Sequence, residues 1–212
     1  LFLQTSWQCI EDAGYNPTSF AGSKCGVFVG CETGDYGKIV QRYELSALGL
    51  LGSSAALLPA RISYFLNLQG PCMAIDTACS ASLVAIANAC DSLVLGHSDA
   101  ALAGGVYVLS GPEMHIMMSK AGILSPDGRC FTFDRRANGF VPGEGVGVVL
   151  LKRLADAEKD GDNICGVIRG WGVNQDGKTS GITAPNGQSQ QRLQKEVYER
   201  FQIQPADIQL VE

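Results

Sequence analysis

Charge is scarce in this chain. Only 17% of its residues are charged, against roughly 25% in an average soluble domain. The net charge is −5, and no run of Lys or Arg stands out, which argues against a nucleic-acid or anionic-membrane surface. Apolar residues come in short interrupted runs, never the ~20 in succession that a membrane span requires. Histidine is limited to His97 and His115, and the eight cysteines include no CxxC pair, so no zinc spacing can be assembled. A signal peptide is also missing, since the start is neither basic nor followed by a long apolar run. The scattered cysteines read mostly as small core residues of a protein kept in a reducing, cytoplasmic compartment.

What is there is a large apolar share, 46%, and 26 glycines in 212 residues. That is enough chain to bury a substantial core. With no internal repeat or low-complexity linker, residues 1–212 read as one domain. Both ends read as cut: the chain opens on Leu1 inside an apolar helix and closes on PADIQLVE, the beginning of a strand. An internal fragment of a longer protein is the expectation.

Strands and helices alternate. LFLQTSWQCIEDAG carries Leu3, Trp7 and Ile10 at helical spacing, and KCGVFVG is a short strand. Residues 32–58 are irregular, and Ser54 to Leu66 is helical with a kink at Pro59. CMAID is a strand, SASLVAIANACDSLVLG a helix buried on most sides, and AALAGGVYV the next strand. EGVGVVLLKRL reads as a strand running into a helix, ICGVIRGW as another strand, and QSQQRLQKEVYERF as an amphipathic helix. Strands apolar on both faces, alternating with helices, predict an α/β layered fold.

Cys79 is the nucleophile candidate. AIDTACSASLVAIANAC places it where a buried strand turns into a buried helix, among the small residues Ala78, Ser80 and Ala81. Free N–H groups and the dipole at a helix start favour a thiolate, and the same groups can receive an oxyanion. The alternative is one more small buried cysteine.

Around Cys79 the sequence resembles a family. DTACSAS at Asp76–Ser82 resembles the active-site motif of the β-ketoacyl synthases, the condensing domains of polyketide and fatty-acid synthases. LQTSWQCIEDAGY, GVFVG, PARISYFLNLQGP, SPDGRCFTFDRRANGFVPGEGVGVVLLKRL and NQDGKTSGITAPNGQSQ are similar to further family segments in the same order, so the resemblance spans the chain. It implies a thiolase-like αβαβα fold, of which these residues supply the N-terminal half and the start of the second half. It implies Cys79 as the acyl acceptor in a decarboxylative Claisen condensation, with acyl and malonyl-type thioesters as substrates. Acyl carrier protein and a second copy of the chain are the implied partners, the strand CMAID lying near the twofold axis. The phosphopantetheine arm belongs to the carrier, so no cofactor and no metal is expected on this chain.

Modular polyketide synthesis is the favoured setting, with fatty-acid synthesis and a non-elongating scaffold as alternatives. A Cys-dependent hydrolase fits less well, because neither GxCxG nor CGSCW occurs. Two further family histidines, in HGTGT-like and NxGH-like motifs, have no counterpart here, and His97 and His115 sit in other contexts. His97 reads as a solvated or capping residue after a helix. Met117 and Met118 fall where the family builds part of its acyl channel, with plain core packing the equal alternative. Glu144, in GFVPGEG, is expected to be buried and to anchor the surrounding turns, a role behind the active-site residues being the alternative. Departures from the family pattern are Ala81, Asn138 and ANAC in place of HLAC. Finally, Gly172–Thr179 satisfies a phosphate-loop pattern, but Gly181, Pro185 and Gly187 forbid the helix that must follow. The glycines of GEGVGVV precede a strand, the wrong order for a dinucleotide site.

Overall fold

The structure, a computed structural model, describes residues 1–37, 40 and 47–212. Its centre is a four-stranded mixed sheet in the order β2-β1-β3-β4. The strands are β1 (Cys25–Gly30), β2 (Cys72–Ile75), β3 (Ala100–Tyr107) and β4 (Gly145–Lys152). β1 pairs parallel with both β2 and β3, whereas β3 pairs antiparallel with β4.

The helices in chain order are α1 (Phe2–Asp12), α2 (Ala47–Ser53), α3 (Leu57–Leu66), α4 (Ala81–Val94), α5 (Glu113–Lys120), α6 (Leu154–Asp160) and α7 (Gly187–Phe201). Alternation along the strands sorts the side chains onto two faces. Val27, Val29 and Leu102 join Phe2 and Ile10 of α1 and Ile62 and Leu66 of α3 in one cluster. Phe28, Ala101 and Ala103 face the other way, onto Ala85, Ala89 and Leu93 of α4. The residues of α4 that meet the sheet are small because the helix backbone lies close to it. β1 is therefore buried along its whole length.

Four expectations are corrected. Pro59 makes no kink: it sits in the first turn of α3, where its missing N–H has no intrahelical partner to lose. β4 is alternately half-buried and exposed, because only its Val146, Val148 and Leu150 row packs against the α1 cluster. ICGVIRGW and the residues after Pro205–Asp207 form no strand, since neither pairs with an edge of the sheet and an unpaired segment has no ladder to join. Half of the cysteines are not core residues: Cys72, Cys79, Cys130 and Cys165 are exposed, and all eight thiols are free. The irregular stretch at 32–58 lies partly outside the described residues, and its described end forms α2.

Arg153 locks the far end of α4. Its guanidinium donates to the Leu93 carbonyl at 3.1 Å and the Ser98 carbonyl at 2.7 Å, and pairs with Asp99 at 2.9 Å and Asp156 at 2.6 Å. One side chain thus joins the end of α4, the start of β3 and the start of α6. Arg153→Ala leaves two carbonyls without their donor, and is expected to lower unfolding stability by about 1–3 kcal/mol. A shift of the urea midpoint at constant slope in the complete domain checks it, and an unshifted midpoint contradicts the lock.

Candidate active site

Two glycines decide where α4 begins. A Cβ on Gly30 would lie 2.5 Å from the Ala81 carbonyl carbon and 2.5 Å from the Ser82 nitrogen. A Cβ on Gly105, the register partner of Gly30, would lie 2.7 Å from the Ser82 Cβ. The first residues of α4 rest directly on the ends of β1 and β3. The buried Ala81 sits at this contact.

Between β2 and α4 the chain makes a tight elbow. Ile75 ends β2, and a 3-10 turn over Ala78–Ser80 leads straight into the helix. Ala78 adopts φ 53°, a left-handed conformation that costs a non-glycine residue of order 1 kcal/mol. Two hydrogen bonds hold it there. The Ala78 N–H donates to Asp76 Oδ1 at 3.1 Å, and Ser80 Oγ donates to the Thr77 carbonyl at 2.9 Å. Cys79 lies at the apex of this elbow and is exposed. No side chain caps α4, so the N–H groups of its first turn carry no side-chain acceptor. By contrast, burial pushes the Cys25 thiol up to about 12, which leaves it unreactive.

β3 ends on a phenol on the same face of the sheet as the start of α4. Tyr107 ends β3 and is half-buried. Burial first, then the negative charges of Glu32 and Asp35, raise its pKa, so the phenol keeps its proton. Sequence reasoning missed Tyr107. The signal was available in AALAGGVYV, where Tyr107 follows Gly105 by two and so shares its face.

The remaining candidates are dispersed. Glu144 is exposed rather than buried, because no described element packs over the loop before β4. Its Oε1 accepts from the Leu109 N–H at 2.7 Å, tying the loop after β3 to the loop before β4. Glutamine retains such an acceptor oxygen. Glu144→Gln in the complete domain is therefore expected to preserve both melting temperature and turnover, whereas Glu144→Ala loosens the tether. Lost turnover at an unchanged melting temperature in the Gln variant would assign the carboxylate to the chemistry.

Met117 is exposed and Met118 half-buried on α5, which contributes no buried residue. Neither lines the cavity of about 1420 Å³ that opens between β4 and residues 164–168, and this cavity does not reach Cys79. His97 is exposed, and its backbone N–H donates to the Ser92 carbonyl near the end of α4. His115 is exposed on α5.

Asn138, one of the departures from the family pattern, has a local reason. Its amide donates to Asp127 Oδ2 at 2.7 Å and accepts from Ser125 Oγ at 2.9 Å. An aspartate there would set two carboxylates against each other. The phosphate-loop pattern ends in turns, and α7 starts only at Gly187, capped by the Asn186 side chain. Among the described residues no three His, Cys, Asp or Glu side chains gather to hold a metal ion, and no helix is long and apolar enough to cross a membrane.

A cysteine on a strand-to-helix elbow, set on a mixed sheet with helices on both faces, fits a thiolase-like fold, and the comparisons agree. The family model described as beta-ketoacyl synthase, N-terminal domain, matches residues 1–157, and the one for the C-terminal domain matches residues 165–212. The chain belongs to the β-ketoacyl synthase family.

Among its relatives, the polyketide synthase PksL of Bacillus subtilis is 50% identical over 212 residues, and the polyketide synthase GfsA of Streptomyces halstedii is 46% identical over 214. All of this chain is matched in each case, but it spans only 5% of PksL and 3% of GfsA. The solved ketosynthase from module 6 of the bacillaene synthase of Bacillus subtilis superposes with a TM-score of 0.90 at 50% identity, over 98% of this chain and 36% of that one. An oxazolomycin ketosynthase domain of Streptomyces albus superposes with a TM-score of 0.90 at 42% identity, over 98% and 37%.

Proposed function

We infer that this chain is the acyl-accepting part of a ketosynthase that performs decarboxylative Claisen condensation in polyketide assembly. The observation that carries the reading is the placement of Cys79, exposed at the elbow with the uncapped start of α4 behind it. The polyketide setting, rather than fatty-acid synthesis, rests on relatives and solved neighbours drawn from polyketide synthases.

In the first half-reaction the Cys79 sulfur attacks the carbonyl carbon of an acyl thioester on an acyl carrier protein. The bond to the carrier's phosphopantetheine sulfur breaks, and that sulfur leaves with the proton that Cys79 gives up. The aligned N–H groups near the start of α4 stabilise the oxyanion formed between these events. In the second half-reaction a malonyl-type thioester loses carbon dioxide. The electron pair of the broken carbon–carbon bond attacks the acyl-cysteine carbonyl, and Cys79 departs as thiolate.

Polarising the extender carbonyl falls to the histidines of the HGTGT-like and NxGH-like motifs, which residues 1–212 do not contain. We assign neither His97 nor His115 to that task. The phosphopantetheine arm arrives on the carrier as part of the substrate, so this chain needs no cofactor of its own. The exposed Cys72 and Met73 of the edge strand β2 support a homodimer built along that edge, and the free thiols support a cytoplasmic setting.

The test supplies a complete ketosynthase domain carrying this sequence with an acyl thioester and malonyl-loaded carrier. The reading expects a β-ketoacyl-carrier product with one carbon dioxide released per product. Carbon dioxide release or thioester hydrolysis without a new carbon–carbon bond would contradict it.

A further inference from the structure

The elbow that carries Cys79 is fastened at both ends against a single residue. Ile75, the last residue of β2, is the register partner of Gly30, and its carbonyl accepts from the Cys31 N–H at 3.0 Å. At the other end Ala81 lies on Gly30, close enough that a Cβ there would be 2.5 Å from the Ala81 carbonyl carbon. The sheet thus fixes where the elbow enters and where it leaves, and residues 76–80 set the direction of the thiol. Among them Ala78 stands directly before Cys79, so its torsions aim the backbone that carries the sulfur. It holds φ 53°, a conformation that an alanine abandons unless something retains it. Asp76 retains it. Its Oδ1 accepts from the Ala78 N–H at 3.1 Å, a carboxylate turned back on the backbone two residues on. That is the one hydrogen bond of the Asp76 side chain among the described residues, and Asp76 is exposed. Its task is therefore local to the turn.

Given that Cys79 accepts the acyl group, as inferred above, we propose that Asp76 is a positioning residue for acylation. Its carboxylate oxygen keeps Ala78 left-handed, and the left-handed Ala78 directs the Cys79 sulfur toward the incoming thioester. Without that acceptor the two ends of the elbow stay on the sheet while Ala78 relaxes, so the sulfur turns away and the fold is kept. In this role Asp76 forms no bond to the acyl group and moves no proton. Two consequences set it apart from a general structural or electrostatic effect. The role needs an acceptor oxygen rather than a charge, and asparagine supplies one. It also exists only because residue 78 carries a Cβ, since glycine takes positive φ without steric cost.

The experiment uses a complete ketosynthase domain carrying this sequence, with the N-acetylcysteamine thioester of butanoate as acyl donor. Acylation rates are read by intact-protein mass spectrometry, and the labelled residue by peptide mapping. Alkylation of Cys79 by iodoacetamide, a small electrophile with little demand on approach, reports whether the thiol itself has changed. Asp76→Ala is expected to lower acylation about tenfold, with neither the alkylation rate nor the melting temperature falling. Asp76→Asn restores acylation to within about twofold of the parent. In an Ala78→Gly background the same Asp76→Ala change costs less than about threefold. A fall below about threefold in Asp76→Ala alone overturns the assignment. So do an Asp76→Asn protein as slow as Asp76→Ala, equal losses in the two backgrounds, or acylation and alkylation falling together. An Asp76→Ala protein that does not fold overturns it too, since the role leaves the fold intact. A label on a cysteine other than Cys79 instead overturns the acyl-acceptor reading itself, so the two failures are distinguishable.

Discussion

In a complete domain, Cys79→Ala is expected to abolish condensation while leaving the melting temperature where it was. The thiol is exposed at the apex of the elbow and contributes no core packing, so its removal costs the fold little. The reaction loses its only covalent acceptor, and removal of a nucleophile of this kind lowers turnover on the order of ten-thousandfold or more. Acylation should fall with it, since transfer from the carrier and attack by the extender both pass through the same sulfur. Turnover within tenfold of the parent would remove Cys79 from the chemistry.

Gly30→Ala acts on the same site from below. The new methyl would sit 2.5 Å from backbone atoms of Ala81 and Ser82, and backbone cannot swing aside as a flexible side chain can. The start of α4 must move away from β1. Overpacking of this kind costs about 1–3 kcal/mol. The displacement also carries Cys79 with it, and a shift of about 1 Å at a reacting group can cost on the order of a hundredfold in rate. Gly147→Ala is the control, because a Cβ there meets nothing within 4 Å. The expected pattern is a large fall in acylation rate for Gly30→Ala and almost none for Gly147→Ala, measured at a temperature where both are folded. Equal rates in the two variants would show that the close approach of α4 to the sheet does not set the site.

How much of this was legible in the sequence varied with the kind of signal. The α4 helix and strands β1 to β4 could be read because each is a continuous apolar or periodic run bounded by glycine or polar residues. The elbow that holds Cys79 was legible because small residues crowd a strand-to-helix junction. ICGVIRGW misled for a physical reason: apolar β-branched residues favour a strand, but a strand forms only where a neighbour offers its backbone groups, and no composition shows that. Glu144 misled similarly. An apolar, glycine-rich setting suggests burial, yet whether a loop is covered depends on elements distant in sequence. Its hydrogen bond to Leu109 reaches across 35 positions, and nothing in a linear reading connects the two. Tyr107 was missed because its meaning lies in register. Only once Gly105 is placed against Ser82 does the residue two positions later fall on the α4 face of the sheet.

The central claim is that Cys79, and no other of the eight thiols, takes the acyl group. The direct measurement is to expose a complete domain to an acyl-loaded carrier, digest it and map the added mass to a residue. A single acyl adduct on the peptide containing Asp76–Ser82, absent from Cys79→Ala, is the predicted result. An adduct on Cys72, Cys130 or Cys165, the other exposed thiols, or one that persists in Cys79→Ala, would contradict it.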